Sequence, residues 1–364
     1  MRADVHRFSI SDPSDVSALK AAIDVGIIDA SSIVAVIGKT HGNGLVNDYT
    51  RGYLTLCLSI LIGEHSGRTA KAVREQVPFV FSGGVEGVLS PHYTVFTVTA
   101  DEVPATNRKA LAIGVGFTAP MRPADIGRQA QIDAIATAVA EAATRAAIED
   151  VHFVQVKGPA FTLADIIADQ RAGRPPATDN PGKLMSFGRA ACALGVAKAL
   201  GEIPADRALE AAVLKDFSLY SSVASMSAGV EVDVNEVIVI GMSSKWSGTL
   251  AVEHTTMVDA LDVGSIHAMV QRLGFPAAPQ IADANRVRAV FIKCEAQRDG
   301  MVRGRPHTML NDGDINEQRH IRGAVGAIAA SILNDTGLFV SGGAEHQGPD
   351  GGGMIAVIAE KADA

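Results

Sequence analysis

The sequence is poor in aromatic residues, with one Trp, four Tyr and twelve Phe among its 364 residues. Its core must therefore be built mainly from Val, Ile, Leu, Ala and Met, within an apolar fraction of 47%. No long basic run is present, and the formal net charge is −8. This charge pattern argues against nucleic acid as the main partner.

Long hydrophobic segments are missing as well. No run of about 18 apolar residues occurs, so a membrane span is not expected, and residues 1–15 lack the apolar stretch of a signal peptide. The three cysteines, Cys57, Cys192 and Cys294, are widely separated and have no metal-type spacing. They are therefore predicted to be reduced, buried thiols, in a soluble cytoplasmic protein.

An ordered internal repeat is the most informative feature of the chain. Three strand-like segments rich in Val, Ile or Phe each end at a lysine, and they span residues 33–39, 152–157 and 288–293. Three helix-like segments, each predicted to open at an arginine, begin at Arg51, Arg189 and Arg322.

A short Ser-Gly/Ala-Gly-x-Glu motif completes each copy of the repeat. The three copies occupy residues 82–86, 227–231 and 341–345. Each copy leads into a further predicted strand, at 93–98, 237–240 and 354–358. One copy would mean little, because Ser-Gly-Gly is a common turn sequence. Three copies in the same order indicate three diverged units of domain size rather than a solenoid of short period.

The repeat also predicts the domain boundaries and the fold class. The units would span residues 1–104, 111–249 and 250–364, with a linker at 105–109 and a long Ala-rich helix at about 127–148. Each unit mixes strands and helices, so the fold class is α+β. Three such units can close around a pseudo-threefold axis, with their strands forming a central barrel-like core and their helices outside.

The repeated serine, lysine and arginine point to one shared site. A lysine at the end of an apolar strand is costly to bury, unless it reaches the surface or pairs with the glutamate of its own unit. Recurrence in three units favours convergence on one pocket instead. Serine and lysine can act as nucleophile and base if burial and nearby cations lower the lysine pKa from about 10.4.

The residues around each serine indicate the kind of ligand. Glycines after the serine leave backbone N–H groups free to approach a carbonyl oxygen, as an oxyanion hole requires. Arginine supplies planar donors that suit carbonyl or imide oxygens. The implied ligand is small, flat and rich in carbonyls, and it could itself be threefold symmetric.

These three sets resemble those of the cyanuric acid hydrolase and barbiturase family over essentially the whole chain, and they look closest to cyanuric acid hydrolase. The resemblance implies hydrolytic C–N cleavage of cyanuric acid to carboxybiuret, which then yields biuret and carbon dioxide. The repeat does not say which serine attacks, but the resemblance implies Ser227, with Lys157 as its base. Lys39 and Lys293 would complete the other two dyads. Besides Ser227, the implied substrate-binding residues are Arg51, Ser82, Gly83, Arg189, Ala228, Arg322, Ser341 and Gly342.

The same resemblance implies a structural divalent cation, Mg²⁺ or Ca²⁺, in the third unit, and no cofactor for catalysis. The matching positions are Glu295, Ala344, Gln347, Gly348, Pro349 and Gly352. One carboxylate with backbone carbonyls suits a hard cation. On the residues alone, a glycine-rich turn at 348–353 without an ion is the simpler interpretation, and the resemblance reverses it.

Two further expectations concern specificity and assembly. Gln318 lies one turn before Arg322 if that helix starts early, so it could touch the ring and affect substrate choice. The partner would be a small cyclic imide, and the resemblance implies a homotetramer.

Two alternative functions keep the same residues. A barbiturase would hydrolyse barbituric acid to ureidomalonate, and only the ring position that carries CH₂ instead of NH would differ. A non-catalytic module would bind a small planar metabolite through the arginines alone. The lysine in every unit argues against the module, because binding does not need a base.

Overall fold

Three four-stranded β-sheets form the strand framework of the chain, in a computed structural model that describes residues 1–100 and 108–361. The strands are β1 Arg2–Ser9, β2 Ile33–Thr40, β3 Phe79–Gly83, β4 His92–Thr99, β5 Ala110–Phe117, β6 Asp150–Pro159, β7 Ala224–Gly229, β8 Glu236–Ser243, β9 Leu250–Met257, β10 Val287–Cys294, β11 Met301–Val302, β12 Arg305–Pro306, β13 Phe339–Gly342 and β14 Gly353–Glu360. The two-residue strands β11 and β12 pair with each other in a separate small sheet.

The three sheets share one strand order. It reads β1-β4-β2-β3 in the first sheet, β5-β8-β6-β7 in the second and β9-β14-β10-β13 in the third. In each sheet the last two strands of this order pair in parallel, and the other pairs are antiparallel. This common order agrees with three related units, whose boundaries and threefold axis remain predictions. Residues 101–104 and most of the predicted linker lie outside the described residues.

The predicted barrel-like core is wrong, because the sheets are open. They meet through packed side chains rather than through a closed ladder of hydrogen bonds. At the centre of this packing, Phe291 of the third sheet stacks on Phe153 of the second, with ring centroids 4.5 Å apart, and on Phe96 of the first, at 6.3 Å. Burying these aromatic faces together removes apolar area from water without any pairing of sheet edges.

Eight α-helices surround the sheets in the described residues. They are α1 Ser17–Asp24, α2 Thr50–Ser66, α3 Ala70–Gln76, α4 Gln129–Arg145, α5 Leu163–Arg171, α6 Pro181–Ala199, α7 Val263–Arg272 and α8 Glu317–Leu333. The predicted Ala-rich helix is α4, shorter at both ends than expected. No helix within residues 1–100 and 108–361 combines the length and the hydropathy of a membrane-spanning segment.

Two helices start earlier than the sequence patterns predicted. The helix α2 begins at Thr50, within one residue of the predicted start at Arg51, but α6 begins at Pro181 and α8 at Glu317, well before their arginines. The side chains of Asn180 and Asn316 accept backbone N–H bonds from the first turns of α6 and α8. Such asparagine caps, with proline at the first position of α6, set where these helices begin.

All three cysteines are free thiols, as predicted. Cys192 and Cys294 are buried, but Cys57 is partly exposed. The prediction of burial is therefore wrong for Cys57.

Candidate active site

The register of the parallel strands brings each lysine next to a serine. The directly paired residues are Lys39 with Ser82, Lys157 with Ser227, and Lys293 with Ser341. Paired residues on neighbouring strands place their side chains on the same face of the sheet. The serine motifs are therefore not simple turns, because each begins at the end of strand β3, β7 or β13.

One small pocket gathers residues from all three sheets. Its lining contains every predicted substrate-binding residue: Arg51, Ser82, Gly83, Arg189, Ser227, Ala228, Arg322, Ser341 and Gly342. Gln318 also lines the pocket, together with Gly44, Met185 and Met226, which the sequence patterns did not single out. The Oγ atoms of Ser82 and Ser341 lie 3.4 Å apart. The pocket lining thus brings together a serine and an arginine from each repeat, while the role of each residue remains a prediction.

Close packing explains two of the glycines that follow the serines. A Cβ atom at Gly83 would lie 1.8 Å from the carboxylate of Asp48, and one at Gly342 would lie 2.9 Å from Cβ of Gln318. Asp48 in turn accepts bonds from the backbone N–H groups of Gly44 and Thr50, which fixes the entry into α2. Side chains larger than glycine would therefore displace the pocket wall at these two positions.

The lysines of the first and third sheets bind their serines. Nζ of Lys39 donates to Oγ of Ser82 at 3.2 Å, and Nζ of Lys293 donates to Oγ of Ser341 at 3.1 Å. Burial places the pKa of Lys39 well below its usual value, and the nearby Arg322 adds to this effect. Burial also lowers the pKa of Lys293 to about 7. Both amines are therefore held in conditions that favour the neutral form.

Lys157 is arranged differently. Its Nζ donates to the backbone oxygen of Phe81 at 2.7 Å and lies 2.7 Å from Oε1 of Glu231. Oγ of Ser227 is buried and has no hydrogen-bond partner among residues 1–100 and 108–361. Burial lowers the pKa of Lys157 to about 8, Glu231 opposes this shift, and Arg51 reinforces it. From the sequence, a buried lysine could pair with the glutamate of its own unit, and Lys157 does so with Glu231.

Two of the arginines form paired contacts with a glutamate from a different repeat. Nε of Arg189 donates to Oε2 of Glu345 at 2.8 Å, and Nε of Arg322 donates to Oε2 of Glu86 at 2.8 Å. In both pairs Nη2 also donates to the second carboxylate oxygen. Such two-point contacts hold each guanidinium in a defined plane at the pocket wall.

The third arginine is held mainly by backbone oxygens. Nη1 of Arg51 donates to the oxygen of Ala228 at 3.1 Å, and its Nη2 donates to that of Leu45 at 2.9 Å. Its Nε lies 3.4 Å from Oε1 of Glu231, the carboxylate that also contacts Lys157. The three arginine–glutamate contacts thus run cyclically, from the first repeat to the second, the second to the third and the third to the first.

The sequence patterns missed one carboxylate beside Lys157. Glu236 is the direct neighbour of Lys157 in the antiparallel pair of β6 and β8, and it is buried. Its Oε2 accepts the backbone N–H of Phe79 at 3.0 Å. Burial raises the pKa of Glu236 to about 8. A charged residue at the first position of an apolar strand was the signal that could have revealed it.

The predicted cation ligands lie beside the third serine motif. Glu295 is buried, and its carboxylate is contacted by Nη2 of Arg298, whose Nη1 binds Asp350 in the glycine-rich loop. Burial, and then the carboxylate of Glu345, raise the pKa of Glu295 to about 7. Within the described residues, no three His, Cys, Asp or Glu side chains come together as a metal site. A cation here would therefore depend on Glu295 and on backbone oxygens.

Comparison with known proteins identifies relatives along the whole chain. A family model described as amidohydrolase ring-opening protein matches residues 4–360. A cyanuric acid amidohydrolase of Enterobacter cloacae is 44% identical over 100% of both chains. Another, from Pseudomonas sp. (strain ADP), is 45% identical over 98% of both chains.

Solved structures of cyanuric acid hydrolases are similar to this chain along its whole length. A cyanuric acid hydrolase structure aligns with a TM-score of 0.95 and 45% identity over 99% of both chains. The cyanuric acid hydrolase of A. caulinodans aligns with a TM-score of 0.92 and 42% identity over 100% of this chain and 99% of that one. The fold and these full-length relatives therefore define a cyclic amide hydrolase. The chain belongs to the ring-opening amidohydrolase family, which confirms the resemblance read from its motifs.

Proposed function

We propose that this enzyme opens the ring of cyanuric acid by hydrolysing one of its C–N bonds. The convergence of three serines and three arginines on one pocket carries the proposal, because cyanuric acid presents three equivalent carbonyls and three imide nitrogens. Relatives named cyanuric acid amidohydrolase, 44–45% identical along the whole chain, support the same substrate.

In the proposed reaction, Ser227 is the nucleophile and Lys157 is its base. Oγ of Ser227 attacks a ring carbonyl carbon while neutral Lys157 takes the hydroxyl proton. That proton then passes to the departing ring nitrogen as the C–N bond breaks. Water hydrolyses the resulting acyl-serine, which releases carboxybiuret and restores the serine. Carboxybiuret then loses carbon dioxide and becomes biuret.

The remaining pocket residues would hold the two carbonyls that do not react. Ser82 and Ser341, with the backbone of Gly83 and Gly342, would donate to ring oxygens. Arg51, Arg189 and Arg322 would supply charged donors around the ring. Gln318 lies against Gly342 and would contact the ring edge, where it could influence substrate choice.

An ultraviolet assay tests the function directly. The purified enzyme is incubated with cyanuric acid and, separately, with barbituric acid, and loss of ring absorbance is followed. Turnover of cyanuric acid alone, or a strong preference for it, supports the proposal. Preferential turnover of barbituric acid would identify a barbiturase instead. Binding of either ring without turnover would indicate a non-catalytic module.

The pH dependence of the reaction should reveal the ionisation of the catalytic base. Because Lys157 must be neutral to accept a proton, and its pKa is lowered to about 8, kcat/KM should rise with pH and level off above that value. Below it, the rate should fall about tenfold per pH unit as Lys157 becomes protonated. A parallel titration of cyanuric acid alone separates the ionisation of the substrate. A rate that stays constant down to pH 6 would contradict this assignment.

We also propose that Glu295 and the loop from Ala344 to Gly352 hold a structural Mg²⁺ or Ca²⁺. The donors fit such a cation, since they are a carboxylate and carbonyl oxygens. The raised pKa of Glu295 fits as well, because a cation would stabilise its buried anion. The side-chain oxygen of Gln347 accepts the N–H of Met226 at 2.6 Å, which links this loop to the strand of Ser227.

Removing this cation should destabilise the fold. A ligand that binds only the folded state stabilises it by mass action, so a chelator should lower the melting temperature. Added Mg²⁺ or Ca²⁺ should restore it. Glu295→Gln should lose this response, and Glu253→Gln, a carboxylate paired with Arg272 elsewhere in the third sheet, should keep it. Identical melting curves with and without chelator, and no metal in the purified protein, would refute the site.

The remaining proposal concerns assembly. Resemblance to the family predicts a homotetramer, and light scattering coupled to size-exclusion chromatography would measure its mass. A monomer at micromolar concentration would contradict it.

A further inference from the structure

The three repeats allow an internal comparison of the same residues in the same fold. In the first and third repeats the lysine binds its serine, and the motif glutamate binds an arginine at two points. In the second repeat the lysine contacts Glu231, and Ser227 is left without a partner among the described residues. The repeat with the proposed nucleophile is therefore the one whose contacts are rearranged.

Glu231 and Arg51 already lie close to the arrangement of the other two glutamate–arginine pairs. Oε1 of Glu231 already lies 3.4 Å from Nε of Arg51, within ion-pair distance but without the two-point contact found in the other repeats. Arg51 instead uses its two terminal nitrogens on the backbone oxygens of Ala228 and Leu45. A rotation of the guanidinium and of the Glu231 carboxylate would produce the contact that the other two pairs form.

The charges around Lys157 determine what such a rotation would do. Lys157 is faced by Glu231 from the loop after β7, by Glu236 from β8 and by Arg51 from α2. Its Nζ also donates a hydrogen bond to the backbone oxygen of Phe81 in β3. Of these groups, Glu231 is the carboxylate in direct contact. Its departure would remove the anion in contact with this buried amine, which favours the neutral form.

We propose that Glu231 is a positioning residue that holds Lys157 away from Ser227 in the free enzyme and moves to Arg51 when substrate binds. A ring oxygen that accepts from Arg51 competes with the backbone oxygen of Ala228, so the guanidinium turns and presents its other edge to Glu231. Lys157 then loses its anion and moves onto Ser227, in the geometry that Lys39 already has with Ser82. The base is thereby delivered to the nucleophile only in the presence of substrate.

This inference rests on the proposed function, and its test includes readouts that do not need turnover. The test variant is Glu231→Gln, and the matched control is Glu86→Gln, the same position of the first repeat, whose carboxylate contacts Arg322. In protein carrying ¹³Cε-labelled lysine, and without substrate, Glu231→Gln should lower the pKa of Lys157 by about one unit, because one ion-pair partner is lost. The acidic limb of kcat/KM should move to lower pH by the same amount. Glu86→Gln should leave both at their wild-type positions.

A crystal structure supplies the second readout. In Ser227→Ala soaked with cyanuric acid, Glu231 should contact Arg51 at two points, and Nζ of Lys157 should have left it. If Glu231 still contacts Lys157 in that complex, the proposal is overturned. It is equally overturned if Glu231→Gln does not move the pKa of Lys157.

The proposed function can fail separately from this inference. A wild-type enzyme that turns over neither ring would refute the hydrolase activity. The lysine titration, which needs no turnover, would still decide whether Glu231 controls the protonation of Lys157.

Discussion

Ser227→Ala and Lys157→Ala should each remove nearly all turnover of cyanuric acid, and the double variant should lose no more than either single one. The two residues act as one unit, since a nucleophile without its base, or a base without its nucleophile, leaves the attack unassisted. The measurement is kcat for the three variants, with folding checked by circular dichroism.

The equivalent serines supply the control for this prediction. Ser82→Ala and Ser341→Ala remove donors to carbonyls that do not react, so each should cost about 10²–10³-fold, comparable to the loss of one oxyanion donor. Equal and complete losses from all three serines would leave the nucleophile unassigned. Full activity of Ser227→Ala would show that another serine attacks.

Arg322→Ala should affect both binding and stability. The change removes a charged donor from the pocket, so KM should rise strongly. It also leaves the mostly buried carboxylate of Glu86 without its two-point partner. Removing one member of a buried pair typically costs about 3–5 kcal/mol. Urea denaturation measures the free energy of unfolding, and initial rates over a range of cyanuric acid concentrations measure KM.

A double variant separates these two effects. Arg322→Ala combined with Glu86→Ala removes the unpaired carboxylate, so stability should partly recover while KM stays high. Arg322→Lys keeps the charge but cannot form the planar two-point contact, and it should lie between wild type and Arg322→Ala. Recovery of KM in the double variant would mean that Arg322 acts on the fold rather than on the substrate.

Much of the strand framework could be predicted, because buried strands have a readable composition. The segments that end at Lys39, Lys157 and Lys293 all form strands close to the predicted bounds. The strand β1 and the short helix α3 were missed. Helix starts at Pro181 and Glu317 were missed as well, because the asparagine caps lie outside the repeated pattern.

The open sheets could not be predicted from strand composition. A barrel and three packed sheets need the same alternation of apolar residues, and they differ only in whether strand edges pair. That choice depends on how Phe96, Phe153 and Phe291 pack between the sheets, which involves residues nearly two hundred positions apart.

The sequence by itself determined which residue types recur and in what order, so it identified the serines, lysines and arginines and their likeness to one family. It could do so because polar residues that are costly to bury recur three times within apolar segments, and this recurrence is visible along the chain. The tertiary structure alone decided how those residues pair. Strand register placed each lysine beside its serine, and the meeting of different repeats paired each arginine with a glutamate far away in sequence. Lys157 contacts Glu231 instead of Ser227, and this choice depends on distances of a few ångströms between side chains. The sequence motif contains both residues and therefore does not reveal which contact forms.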